Sequence, residues 1–404
     1  MKKLKTPAII YCDTAATTPV ALPVQKEIIK HLKVTFGNAG SIHQIGVTAN
    51  NVLNNSRRIV ADFLKARPQE IIFTSSGTES NNLAIMGVIN ACLEKGYIAK
   101  DLHIITTNIE HSSVRETFFH LEKIGCRVDW LSVEKNGQLS PSVLRKALRP
   151  NTILVSLAYA NSEIGVIQPL SDLVKEIRHA RKTSSIKISE DSLSFPYTHL
   201  DASQATLWLP MNTEKLGVEL LTLDGQKIYG PKGVGALYIR SGATIKSIMF
   251  GGKQEKGLRP GTENIPLIAG FAKALTLVSA FQKTEPERIL AVRNYFVKKI
   301  SQKIPEVIIN GDLENRLPNN VNFSLTDSDA EYLLLQLAEN GIICSAKSAC
   351  LAGDAGSYVV GAVSDNPSSA RSSLRFTFGD SVGKKEVDKI IDVLSKNVFR
   401  GGLI

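Results

Sequence analysis

Lys227 stands between two apolar runs, Val218 to Leu223 and Val234 to Ile239, at the head of a Gly-Pro-Lys-Gly turn. A lysine fixed between a strand end and a rigid turn has little freedom and little water. That environment lowers an ammonium pKa and exposes the amine as a nucleophile; a hairpin with a surface lysine is the plainer alternative. Upstream, Thr74-Ser-Ser-Gly-Thr-Glu-Ser-Asn-Asn82 joins a strand to a helix. Small residues at a helix N-terminus make a phosphate seat, or simply a capping box. Asp201-Ala-Ser-Gln204 ends an extended run, where an aspartate serves as a helix cap or meets a buried cation such as a protonated pyridine nitrogen. His111 begins a helix after a strand; it either stacks on a flat ring and shuttles protons, or is structural. In this order, phosphate seat, histidine, aspartate with glutamine, and lysine describe one ligand: a planar pyridine bearing a phosphate and an aldehyde, pyridoxal phosphate.

Positioning such groups requires strand ends gathered on one edge of a sheet. The pattern provides strands at Glu70 to Thr74, His103 to Thr106, Arg127 to Val133 and Thr152 to Leu157. Helical segments alternate with them: Arg58 to Leu64, Thr78 to Lys95, Ser112 to Ile124, Pro141 to Leu148 and Leu170 to Arg181. Strands joined by crossover helices mean an α/β fold with a mostly parallel sheet. Residues 183–200 read as an elaborated polar loop. Beyond Pro266 helices dominate, at Leu267 to Phe281, Glu287 to Lys303, Asp329 to Glu339 and Lys384 to Asn397. Strands at Val307 to Ile309, Val321 to Ser324 and Ser372 to Phe378 complete a smaller α+β unit. The expected division is a large domain over 17–265 and a small one made of 1–16 plus 266–404.

The chain has 404 residues, 43% of them hydrophobic, and no apolar run nears the ~20 residues that span a bilayer. The apolar stretch from Ala8 to Cys12 is too short for a signal peptide, so a cytoplasmic protein with no membrane association is expected. The net charge of +10 is scattered, without basic blocks or interleaved aromatics. It suits anionic ligands better than nucleic acid. Five cysteines without C-x-x-C spacing indicate neither a disulfide framework nor a metal site. Cys12, Cys92 and Cys126 sit among apolar residues, whereas Cys350 precedes a flexible Ala-Gly-Asp-Ala-Gly run, as a reactive thiol would.

Together these residues resemble the class V aminotransferase family, specifically its cysteine desulfurases. The resemblance covers nearly the whole chain. It rests on Tyr11-Cys-Asp-Thr-Ala-Ala-Thr-Thr-Pro19, Phe36-Gly-Asn with His43, Phe73-Thr-Ser-Ser-Gly-Thr-Glu-Ser80 and Glu110-His111. It continues through Asn161-Ser-Glu-Ile-Gly165, Asp201 with Gln204, Lys227 to Gly233, Arg259-Pro-Gly-Thr262, Ser348-Ala-Cys350 and Ser373-Leu-Arg375-Phe. The resemblance implies a fold-type I pyridoxal-phosphate enzyme whose Lys227 holds the cofactor as a Schiff base and moves the substrate Cα proton. Asp201 would pair with the pyridine nitrogen, Gln204 with the ring hydroxyl, and His111 would stack and transfer protons. Gly77 and Thr78 would bind phosphate, joined by Thr262 from the other subunit of a homodimer. Asn38 and Arg375 would hold the substrate, L-cysteine. Cys350 would take its sulfur as a persulfide, leaving L-alanine, and pass it to an iron–sulfur scaffold or a tRNA-thiolation protein.

Three departures stand out. The family usually has Ser-x-His before the lysine; here the residues are Asp224 and Gln226. A carboxylate beside a phosphate is repulsive unless it turns away or pairs with a cation, and glutamine donates without charge. The usual Asn-Asn pair is Asn161-Ser162, which shortens or removes a contact to the ring hydroxyl. Lys347, near Cys350, either depresses the thiol pKa or is solvated. A selenocysteine lyase or another class V aminotransferase, and a degenerate non-enzymatic sulfur-carrier scaffold, are the competing functions.

Overall fold

The structure is a computed structural model that describes residues 9–326, 328–346 and 356–398; Lys347, Ser348 and Cys350 lie outside them. A short strand β1 (Ile10–Tyr11) precedes helices α1 (Leu22–Val34) and α2 (Gln44–Leu64). Strand and helix then alternate through β2 (Ile71–Thr74), α3 (Gly77–Glu94), β3 (His103–Thr107), α4 (Ser112–Lys123) and β4 (Arg127–Leu131). The alternation continues with α5 (Pro141–Ala147), β5 (Thr152–Ala158), α6 (Leu170–Ala180), β6 (Tyr197–Asp201) and α7 (Thr213–Leu216). Strand β7 (Leu220–Asp224) turns back as β8 (Gly235–Ile239).

These strands form a seven-stranded sheet in the order β2-β8-β7-β6-β5-β3-β4. Strand β8 runs antiparallel to both its neighbours because the Lys227 turn folds it back, while the other neighbouring pairs are parallel. Helices on both faces explain why the central strands are continuously apolar rather than alternating; Ile153, Leu154 and Val155 are all fully buried. The parallel arrangement brings the C-terminal ends of β2, β3, β5, β6 and β7 to one edge, where open α/β sheets place ligands.

The rest of the chain is helix-rich: α8 (Ile265–Phe281), α9 (Glu285–Lys303), β9 (Ile308–Ile309), β10 (Asn320–Ser324), α10 (Ala330–Glu339) and β11 (Ile342–Ile343). After the undescribed segment come α11 (Tyr358–Val363), β12 (Ser373–Thr377) and α12 (Lys384–Asn397). Strands β12, β10 and β9 form an antiparallel sheet, and β1 pairs in parallel with β11, tying the N-terminal residues to this part of the chain. Strand β12 alternates: Leu374 and Phe376 enter the core, where Phe376 lies 5.2 Å from Phe296 of α9, ring centre to ring centre. Arg375 therefore points to the other face, toward the large sheet's edge. Helix α8 packs against α1 and α2.

Two segments differ from the sequence reading. Residues 197–200, assigned to the 183–200 loop, form fully buried strand β6; their apolar members are masked by the polar stretch before them. Helix α2 begins at Gln44, well before Arg58. Its first turns contain Gly46, Val47, Thr48 and two asparagines, which are poor helix formers, so tertiary context sets the start. His43 Nδ1 caps it by accepting from Gly46 N–H at 3.2 Å, and a Cβ on Gly46 would stand 2.3 Å from the Ser41 carbonyl oxygen.

Candidate active site

The five strand ends surround a cavity of about 180 Å³. Every site residue expected from the sequence lines it, except Asn38, Thr262 and Cys350. Asn38 occupies an exposed turn, its Oδ1 accepting from Gly40 N–H at 2.8 Å, and Thr262 is exposed on a loop away from the cavity. Cys350 lies outside the described residues; Ala346 and Gly356 bracket its segment.

Lys227 is reached directly after β7, and its ammonium donates to the carbonyls of Ala15 and Ala16 at 2.8 and 2.6 Å. Gln204 Nε2 donates to the same Ala15 carbonyl at 2.9 Å. Backbone at 15–16, carried by the β1 region, thus aims both side chains.

Asp201 ends β6. Its Oδ1 accepts from Ser203 N–H at 2.9 Å and its Oδ2 from Asn81 Nδ2 at 2.8 Å. The other hydrogen of the Asn81 amide goes to Ser113 Oγ at 2.9 Å, which lies 2.8 Å from His111 Nδ1. Ser113 N–H also donates to His111 Nδ1, so the neutral imidazole carries its proton on Nε2. One amide on α3 therefore sets the orientation of both the carboxylate and the histidine. Beside them Glu110 is completely buried, and burial pushes its carboxyl up to about 8 despite a hydrogen bond from Thr107.

Asn161 does not reach for a ligand. Its Nδ2 donates to the Ile109 carbonyl at 2.8 Å, while its Oδ1 accepts from the N–H groups of Glu163 and Ile164. The side chain shapes the turn that presents Ser162. Arg375, 2% exposed, donates to the Ser162 carbonyl at 3.1 Å and to Asp13 Oδ1 at 2.8 Å. A buried guanidinium needs such a partner.

Asp224 and Gln226 are bonded to each other. Gln226 Nε2 donates to Asp224 Oδ2 at 3.2 Å, and Gln226 N–H approaches Oδ1 at 3.3 Å. The carboxyl faces the first residue of α3, since a Cβ built on Gly77 would lie 3.2 Å from Oδ2. The ring half of pyridoxal phosphate fits this cavity: an amine, a fixed carboxylate and an imidazole converge on it. Helix α3, 18 residues long, offers its N-terminus to the phosphate half, but a carboxyl group shares that seat.

The residues that sequence reasoning missed are Asp13, Asn81, Ser113 and Ser203, together with two backbone carbonyls. Asp13 sits in the Tyr11 to Pro19 stretch and Asn81 in the helix after the phosphate seat, so their neighbourhoods were visible. Their partners, hundreds of residues away for Asp13, were not.

Comparison with known proteins agrees with this geometry. The family description "Aminotransferase class-V" matches residues 10–390. A protein named cysteine desulfurase IscS from Dictyoglomus turgidum is 40% identical over 388 residues, covering 96% of this chain and 94% of the relative. A solved structure titled NifS-like protein superposes with a TM-score of 0.87 at 30% identity, covering 97% of this chain and all of the other. Another, SspA in complex with cysteine, has a TM-score of 0.76 at 31% identity and covers 92% of this chain and 99% of its own. The chain belongs to the class-V aminotransferase family, among its cysteine desulfurases.

Proposed function

We propose that the protein is a pyridoxal-phosphate-dependent cysteine desulfurase that removes sulfur from L-cysteine, leaves L-alanine, and carries the sulfur on Cys350. The carrying observation is that the Lys227 amine, the Asp201 carboxylate, the His111 imidazole and the Arg375 guanidinium meet in one cavity. When bound, pyridoxal phosphate supplies an electron sink for charge developing at the substrate Cα. Asp201, already held by Asn81 and Ser203, offers a fixed negative charge to the ring nitrogen. Lys227 takes and returns the Cα proton, and His111 holds a transferable proton on Nε2. Arg375 binds the substrate carboxylate, with Asp13 and the Ser162 carbonyl fixing its plane. The Cys350 thiolate would attack the substrate sulfur, forming the S–S bond of a persulfide as the carbon–sulfur bond breaks; the electron pair of that bond would stay with the carbon skeleton, which becomes alanine on taking up protons.

The active form is a homodimer. Residues 22–47 expose Leu22, Leu32, Val34, Phe36 and Ile42, a concentration of apolar surface that a second copy would cover. Thr262, exposed and outside this chain's cavity, serves the second copy's phosphate seat. The sulfur acceptor is a protein of iron–sulfur assembly or tRNA thiolation.

The test is an anaerobic reaction with sulfur-labelled cysteine followed by peptide mass mapping. Label is expected on the Cys350 peptide, and Cys350→Ala should lose alanine formation at least a hundredfold while keeping the cofactor absorbance near ~420 nm. Undiminished alanine formation by that variant would sink the mechanism.

A further inference from the structure

The phosphate seat of this site contains a group that ought to repel its ligand. Asp224 ends β7 and its carboxyl faces the first residue of α3, on the ground a phosphate would take. The Gln226 amide gives one N–H to that carboxyl at 3.2 Å, and Ser203 Oγ shares the same ground, 3.0 Å from a Cβ built on Gly77. Among the described residues no ion pair to Asp224 within 4 Å is formed, although the Lys227 charge acts on it from nearby. Lys227 places its ammonium on the carbonyls of Ala15 and Ala16. Arg259, the cation next to α3, is bonded to Glu79 at 3.0 Å. Arg375 on β12 is bonded to Asp13. Among the described residues, the other titratable groups at the cavity are Asp201, held by Asn81 and Ser203, and His111, held by Ser113, with buried Glu110 behind them. Two adjacent anions in a buried seat do not both stay ionised, because the repulsion is unscreened there.

We propose that Asp224 and the cofactor phosphate hold one proton between them, so that Asp224 serves as a hydrogen-bond donor in the phosphate seat and cofactor binding takes up a proton from solvent. This inference rests on the desulfurase reading and concerns its cofactor site. The free protein is prepared for it: burial raises the Asp224 carboxyl above the usual carboxylate range, although the Lys227 charge and hydrogen bonds from Gln226 and Gly77 pull the other way. The sign follows from linkage. Where the carboxyl is already protonated, binding takes up nothing; above that range each unit of pH weakens binding about tenfold, because a proton must be supplied.

The experiment titrates cofactor-stripped protein with pyridoxal phosphate from about pH 6.5 to 9, following the absorbance near ~420 nm. Wild type is compared with Asp224→Ser and Asp224→Asn, each checked for an unchanged thermal melt. The quantity read is the ratio of wild-type to variant Kd, and the same ratio taken with pyridoxal removes any change that Asp224 makes to the titration of Lys227. The ratio is expected to rise at least tenfold between pH 7 and 9 for both variants, and to stay flat when pyridoxal without phosphate is the ligand. A ratio independent of pH, or tighter binding of pyridoxal than of its phosphate, overturns the inference while leaving the desulfurase reading intact. No absorbance band in any of the proteins removes both.

Discussion

Asp13 is the residue whose role is clearest in space and least visible in the chain. It holds Arg375, whose guanidinium is almost wholly buried, and its partner lies 362 positions away. Without Asp13 the guanidinium is left with the Ser162 carbonyl alone to set its plane, and bidentate recognition of a carboxylate depends on that plane. Asp13→Ala is expected to raise KM for cysteine about ten- to a hundredfold, roughly 1.4 to 2.7 kcal/mol, with a smaller change in kcat. Cofactor absorbance should not move, which separates a positioning role from collapse of the site. An unchanged KM would remove Asp13 from the substrate machinery.

Among the elements, the turn after β5 does the most joining. Gly165 sits at φ +71 and has no room for a side chain, since a Cβ would lie 2.5 Å from Asn320 Cγ. Asn320 and Asn322 of β10 donate to the Glu163 carbonyl at 3.1 and 3.3 Å, and Ser162 receives Arg375 from β12. Just past the Cys350 segment, Ser357 caps α11 through its hydroxyl and donates to the buried Glu163 carboxylate at 2.5 Å. Its neighbour Tyr358 donates to the Glu110 carbonyl and carries Arg115 stacked 3.8 Å above its ring. The far end of the Cys350 segment is thereby tied to the loops that hold Asn161 and His111. Ser357→Ala removes a helix cap and a donor to a buried carboxylate together, with an expected loss of about 2–4 kcal/mol in denaturant unfolding. A change below about 0.5 kcal/mol would show that this tie carries no weight.

At the scale of the molecule, residues 10–16 join the seven-stranded sheet to the β12-β10-β9 sheet. The β1–β11 pairing and the Asp13–Thr377 bridge bring the N-terminal residues across to the C-terminal sheet, and the same residues then supply the carbonyls that aim Lys227. On the opposite side, Arg57 grips Glu255 at 2.8 and 2.5 Å, and Glu255 also accepts from Phe73 N–H of edge strand β2. That buried pair fastens the loop that displays Phe250 and Thr262 to solvent. Together with the apolar side chains exposed by α1 and the following turn, this is the surface that the proposed second copy would cover. Ile42, 97% exposed, has no local reason to be apolar. Ile42→Asp is expected to weaken self-association at least tenfold in sedimentation velocity without changing the far-ultraviolet circular dichroism. Sedimentation of the wild-type chain as a monomer at micromolar concentration would count against the dimer.

What the sequence determined alone was the alternation of strand and helix and the identity of the groups at the strand ends. Both are local: burial on two faces makes parallel strands continuously apolar, and small residues with a lysine or aspartate at their ends are readable within a few positions. The seven-stranded order, the early start of α2 and the strand hidden in residues 197–200 needed contacts made at a distance. So did the site's second layer. Asn81 as the shared hinge of Asp201 and His111, Asp13 as the keeper of Arg375, and the backbone carbonyls on Lys227 arise only when remote segments meet. The sequence marked Asp224 and Gln226 as unlike their family counterparts; only the tertiary structure shows that they bond to each other, facing the helix end where a phosphate would sit. Side-chain identity is written locally, but the pairing of buried polar groups is decided by the fold that buries them.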